Sequence, residues 1–266
     1  MPPEDLMGDG GRAAGRLDGR RAIVTGGANG IGRAIATAFA REGCDVFFTA
    51  LSDEPAARST RAELRGYGVA ADFTLLDAAA PDAVDRLMGA AAEAIGLPDV
   101  LVNNAATATR TGFLDLTPQE YDRVMEVNLR FPFFAIQAFA ARLRAAGARG
   151  SVVNISSLSA SSAVSAMAHY QCSKAGLSML TRSAAYELAP FGIRVNTVSP
   201  GLTATKSNAV QWRDDPDLWA ERGKDIPLGR PGRPEDLAGA AVFLASAESA
   251  WMTGGDIAVD GGEVAL

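Results

Sequence analysis

From residue 20 onward, short apolar runs alternate with segments whose apolar residues recur every three or four positions. The runs at 22–26 (AIVTG), 44–50 (CDVFFTA), 69–77 (VAADFTLLD), 99–105 (DVLVNNA), 150–157 (GSVVNISS), 192–201 (GIRVNTVSPG) and 255–262 (GDIAVDGG) read as strands. Runs this short and this continuously apolar fit strands covered on both faces. Between them, 32–42 places Ile35, Ala36 and Phe39 on one helical face, and 55–66 is a polar, helix-favouring stretch. Pro81 stands where a first-turn proline would open the next helix. Thr117, Pro118 and Glu120 have the form of a capping box. The helix they start is expected to run past Phe131 and Pro132 to about residue 146, kinked at the proline. Residues 168–188 and 234–246 complete the helical set. Strands separated by helices of this length predict an α/β fold: a single doubly wound domain with a parallel seven-stranded sheet and helices on both faces.

Residues 202–227 break the alternation. They are polar and irregular, with Trp212 and Trp219 embedded among Gln211, Arg213, Asp214, Asp215 and Asp217. In open α/β sheets ligands lie outside the carboxyl ends of the strands, and this segment follows the sixth. It is therefore expected to be a substrate lid whose polar side chains suit a hydroxyl-rich ligand. The two tryptophans, seven apart, could share a helical face and either line the pocket or pack the lid down; Trp212 is a candidate substrate contact. Residues 1–17 carry no apolar leader and read as a mobile tail, leaving 18–266 as one domain.

Composition narrows the function. With 25 Lys and Arg against 31 Asp and Glu, the net charge is −6, which argues against a nucleic-acid partner. No apolar run reaches the roughly 20 residues needed to span a bilayer, so no membrane partner is expected. Cys44 and Cys172 are the two cysteines and read as free thiols, so a reducing, cytoplasmic location is expected. No cluster of His, Cys and carboxylates has metal-site spacing, so no metal is expected.

Two groups of residues carry chemistry. Gly26, Gly30 and Gly32 follow a strand and open a helix. Such glycines permit a tight turn, close backbone approach to a pyrophosphate and close packing of the helix, and the helix N-terminus offers N–H groups to phosphates. The second group is Ser157, Tyr170 and Lys174. Tyr170 and Lys174 share a helical face at i and i+4. A phenol titrates near 10, and an adjacent ammonium favours the phenolate. A lowering of roughly three units would correspond to about 4 kcal/mol and would give an acid/base matched to neutral pH.

The spacing Gly-x-x-x-Gly-x-Gly, followed in order by Asn-Asn-Ala, Ser, Tyr-x-x-x-Lys and Pro-Gly, resembles the short-chain dehydrogenase/reductase family over residues 20–262. The resemblance implies a Rossmann-type domain that transfers a hydride between a nicotinamide and a secondary alcohol or ketone. It implies Tyr170 as general acid/base, Lys174 as its modulator and ribose ligand, Ser157 as the group orienting the substrate oxygen, and Asn128 as holder of a relay water. Cofactor contacts are expected from Gly26, Asn29, Gly30, Ile31, Gly32, Asp77, Asn104, Ala105, Ala106, Pro200, Gly201, Thr203 and Thr205, besides Tyr170 and Lys174. Ala106 stands where the family has glycine, which matters only if that position needs positive φ. At the end of the second strand, Ala50, Leu51 and Ser52 supply neither the acid that selects NAD nor an arginine for NADP; the reading favours NADP, with NAD also in play. His169 is either a substrate-pocket contact or a packing residue. The resemblance lies nearest to sugar and polyol dehydrogenases. A 3-oxoacyl-carrier-protein reductase, whose acidic partner would call for a basic surface near Arg130 and Arg194, is the enzyme alternative. A cofactor-binding sensor or scaffold is the non-enzyme one. A homotetramer is expected, packed through 117–146, 168–188 and 255–259, with Ala138, Ala140 and Ala141 allowing close helix contact.

Overall fold

The chain folds as seven parallel strands: β1 (Arg21–Val24), β2 (Asp45–Ala50), β3 (Ala71–Leu75), β4 (Val100–Asn103), β5 (Gly150–Ile155), β6 (Ile193–Pro200) and β7 (Asp256–Val259). Their order is β3-β2-β1-β4-β5-β6-β7 in a computed structural model that describes residues 15–265. Winding reverses between β1 and β4, and the crevice beyond their carboxyl ends is where an open α/β sheet binds its ligand.

Strand residues alternate between two apolar layers. Val24, Val46, Phe48 and Val153 pack against Ile35 and Phe39 of α1 (Gly30–Arg41), Leu64 of α2 (Glu54–Arg65) and Leu237 and Val242 of α9 (Pro234–Ala245). Ile23, Phe47, Leu101, Val152 and Val195 face the other side. There they meet Leu87 and Met88 of α3 (Ala83–Ile95), Phe139 and Leu143 of α5 (Phe131–Ala145) and Ala185 of α6 (Ala168–Leu188). A one-residue slip in any strand would exchange these layers, so the packing fixes the register.

The structure corrects four expectations. The strands end earlier than the apolar runs, because Gly26 turns away at φ +68° and the residues after β4, β5 and β6 become loops. Pro81 lies outside α3, whose N-cap is Asp82. Residues 202–227 are not irregular throughout. They form α7 (Ala209–Arg213) and α8 (Pro216–Lys224), and Asp215 caps the second by accepting from Leu218 N. Trp212 and Trp219 thus lie on different helices and share no face. Residues 1–14 of the expected tail fall outside the described residues, while its last three are placed: Leu17 is fully buried and Arg16 pairs with Glu248.

The capping box forms at α4 (Pro118–Met125): Thr117 Oγ1 accepts from Glu120 N, and Glu120 accepts from Thr117 N. The helix passes into α5 through one wide turn, Glu126–Arg130, in which Phe131 N donates to Glu126 O five residues back. Pro132 has no N–H to offer Asn128 O, so the disturbance falls one turn before the proline and around Asn128.

Candidate active site

The glycine loop is held open by its neighbours. Thr25 Oγ1 accepts from Asn104 N (2.9 Å) and Ala105 N (3.0 Å), and Asn104 Nδ2 donates to Thr25 O (2.9 Å) and Gly26 O (3.2 Å). A Cβ on Gly32 would sit 2.3 Å from Gly26 O and 2.4 Å from Asn104 Nδ2, so this residue must be glycine for α1 to start here. Asn29 caps α1 without a side-chain bond to it, leaving the first-turn N–H groups of Gly30, Ile31 and Gly32 for a ligand. Gly30 has φ +55°, and its missing Cβ would point at Thr205, 3.7 Å away. An anionic diphosphate fits this cradle, with the Pro200–Gly201–Thr205 loop opposite it.

The candidate proton-handling residues come from just beyond the end of β5 and from α6. Tyr170 and Lys174 fall in the first two turns of α6, whose bounds match the expected 168–188. Lys174 is buried and its Nζ donates to Ile155 O (2.7 Å), 5.8 Å from the centre of the Tyr170 ring. Burial lowers its pKa to about 8. Tyr170 departs from expectation: burial raises its pKa above the ordinary phenol value, and only a hydrogen bond from Ser157 opposes the rise. Here Lys174 spends its ammonium on the backbone, so desolvation outweighs attraction at the phenol. Ser157 stands beyond β5 and also accepts from Ser159 N (3.1 Å).

Asn128 is bound on three sides. Its Oδ1 accepts from Thr107 N (2.8 Å), and its Nδ2 donates to Thr107 O (2.9 Å) and Ser173 Oγ (3.1 Å). Ser173 Oγ in turn donates to Tyr170 O (2.7 Å). The asparagine thus ties the wide turn, the loop after β4 and α6 together. His169 is only 2% exposed and shares a hydrogen bond with Thr109 Oγ1 (2.9 Å). It thereby anchors the loop that carries Thr109. Trp212 Nε1 donates to Thr205 O (2.8 Å), which ties α7 to the loop after β6.

Other expected contacts are engaged within the protein. Asp77 lies beyond β3 and pairs with Arg123 of α4 (2.8 Å). The backbone N–H of Ala79, and then Arg123, hold its carboxyl below the usual range. Thr203 is buried with its hydroxyl on Gly201 O (3.0 Å). Ala50 is buried, whereas Leu51 and Ser52 are exposed at the carboxyl edge. Ala106 has no positive φ; among the described non-glycine residues only Ala166 does, so alanine is accommodated. The lid polar set is partly used internally: Gln211 accepts from Arg222 (2.8 Å), Asp215 is a cap and Arg213 lies over the Trp212 ring. Sequence reasoning gave no role to Thr25, Ser173, Thr109 or Lys206. The Thr25 hydroxyl, at the head of the glycine motif, was the most accessible of these signals.

A family model described as enoyl-(acyl carrier protein) reductase matches residues 26–263. The L-rhamnose 1-dehydrogenase (NAD(P)(+)) of Azotobacter vinelandii is 41% identical over 243 residues, covering 90% of this chain and 94% of that one. A short-chain type dehydrogenase/reductase from Mycobacterium marinum superposes with a TM-score of 0.87 at 36% identity, over 94% of this chain and 97% of that one. A candidate 2-deoxy-D-gluconate 3-dehydrogenase from Agrobacterium tumefaciens, crystallised with bound NADP, superposes with a TM-score of 0.86 at 37% identity, over 96% and 100%. With the family model matching residues 26–263 and these relatives covered nearly end to end, the chain belongs to the short-chain dehydrogenase/reductase family.

Proposed function

We propose that this chain is an NAD(P)-dependent oxidoreductase acting on a secondary alcohol or carbonyl, with a sugar or polyol as substrate. The observation that carries the reading is the group of Ser157, Tyr170 and the buried Lys174, with a glycine cradle whose helix N–H groups are free. The nicotinamide cofactor, when bound, accepts or supplies the hydride. The chain's own residues do the rest. Gly30, Ile31 and Gly32 would hold the diphosphate, with Thr203 and Thr205 of the loop after β6 bordering it, and Lys174 would hold the ribose. Ser157 donates to the substrate oxygen and fixes its distance from Tyr170. In oxidation the Tyr170 phenolate takes the hydroxyl proton; in reduction the phenol returns it. Asn128 keeps the helix that carries Tyr170 in register, and its carbonyl, without a donor at Pro132, is the natural anchor for a relay water.

The named activity of the Azotobacter relative supports the sugar class. The carrier-protein reductase reading has less behind it. Arg194 is part-buried and donates to Leu244 O (2.8 Å) and Ser246 O (3.2 Å), and Arg130 lies over the Phe134 ring, so neither builds a basic dock. A homotetramer is proposed through α4, α5 and α6, where Tyr121, Phe133, Phe134, Met179 and Tyr186 leave large apolar surface exposed. Ala140, expected at that interface, is instead buried within the subunit. Among the described residues no helix is long and apolar enough to cross a membrane. A reducing, cytoplasmic setting is proposed on the two unpaired cysteines.

The test is a panel of aldoses, polyols and 3-oxoacyl thioesters assayed with both cofactors at 340 nm. Turnover of aldoses or polyols is expected. Turnover confined to the thioesters would overturn the substrate class, and none at all would favour a sensor or scaffold.

A further inference from the structure

The 2′-position of a bound dinucleotide's adenosine ribose lies at the end of β2. That edge offers no cation of its own. Ala50 is buried, Leu51 is apolar and 61% exposed, and Asp53 and Glu54 add negative charge. The neighbouring arginines are committed elsewhere: Arg33 to Glu63, Arg58 to Glu54, and Arg61 to Asp72. One ammonium does reach the edge, and it comes from the far side of the crevice. Lys206, the residue after Thr205, forms an ion pair with Asp53 across 153 positions of sequence. The Asn29 side chain at the glycine loop also lies near enough to Asp53 to favour its carboxylate form. Glycine loop, β2–α2 turn and lid root thus converge on one carboxylate.

We propose that Lys206 is the cation that accommodates a ribose 2′-phosphate, shared between Asp53 and the phosphate when NADP binds. This rests on the reading of the site as a dinucleotide site. The charges favour the arrangement. A phosphate monoester carries −1.5 to −2 near neutral pH, more than the single charge of Asp53. Lys206 therefore gains by turning toward it. Asp53 alone would repel the phosphate, and the ammonium between the two removes that repulsion. With NAD the Lys206–Asp53 pair stays intact and the ribose hydroxyls meet no unpaired cation. The same residues can thus receive both cofactors without an arginine after β2.

The experiment measures dissociation constants of NAD+ and NADP+ for the full chain, its Lys206→Met variant and its Asp53→Asn variant. Asparagine keeps the helix cap that Asp53 provides to Ala56 N. Binding of adenosine 2′,5′-bisphosphate and of 5′-AMP serves as a readout independent of turnover. Lys206→Met is expected to weaken NADP+ and the bisphosphate by about tenfold or more, and to change NAD+ and AMP less than about twofold. Asp53→Asn is expected to tighten NADP+ selectively. Equal weakening of both cofactors, or none, overturns this role for Lys206 while leaving the dinucleotide reading standing. Failure of the unmodified chain to bind either cofactor overturns both.

Discussion

Replacing Tyr170 by phenylalanine is expected to lower kcat by about 10²–10⁴-fold, the range spanned by loss of a general acid/base, and to leave cofactor affinity and fold intact. The ring keeps its packing on α6, and only the hydroxyl that bonds Ser157 and exchanges a proton with the substrate is lost. The pH dependence follows from the direction of the shift. Burial holds Tyr170 above the ordinary phenol pKa, so at neutral pH the phenolate is the minor form. Alcohol oxidation, which needs the phenolate, should therefore speed up as pH rises through neutrality into the alkaline range. Carbonyl reduction, which needs the phenol, should hold steady and fall only when Tyr170 titrates. Steady-state profiles in both directions check this. A Tyr170→Phe variant that keeps the alkaline rise would assign the base elsewhere.

Lys174→Met is expected to abolish turnover and yet raise thermal stability. A buried lysine whose folded pKa is about 8 against 10.5 unfolded binds fewer protons in the folded state between those values. Its charge therefore costs stability fully below pH 8, and the cost disappears as pH rises toward 10.5. The shift corresponds to about 3 kcal/mol, partly offset by loss of the hydrogen bond to Ile155 O, worth about 1 kcal/mol. At pH 7 the variant should melt several degrees higher, and the gap should narrow above pH 8. A lower melting temperature at pH 7 would show that Lys174 is held for structure and not at a functional cost.

Much of the fold was legible because it is local. Thr117, Pro118 and Glu120 announce α4 by chemistry confined to four residues, and the 168–188 pattern predicts α6 to the residue. The glycine spacing and the Tyr170–Lys174 pair likewise lie within single elements. What escaped depends on burial or on long-range contact. The direction of the Tyr170 shift follows from where the Lys174 ammonium points, and that is decided by Ile155 O on a strand 19 residues away. Lys206 meets Asp53 only after the sheet has been wound. The lid helices were missed for a different reason. Asp215 followed by Pro216 is a helix start of ordinary form, and the density of charge around it obscured the signal.

The most direct test of the central claim follows the hydrogen itself. A sugar or polyol that the substrate panel identifies, deuterated at its reacting carbon, would be turned over with NAD+ or NADP+, and the reduced nicotinamide analysed by mass spectrometry. One deuterium per reduced cofactor, with none appearing in solvent, is the predicted result. Reduced cofactor that carries no deuterium while this substrate is oxidised would contradict direct transfer in the Tyr170 site.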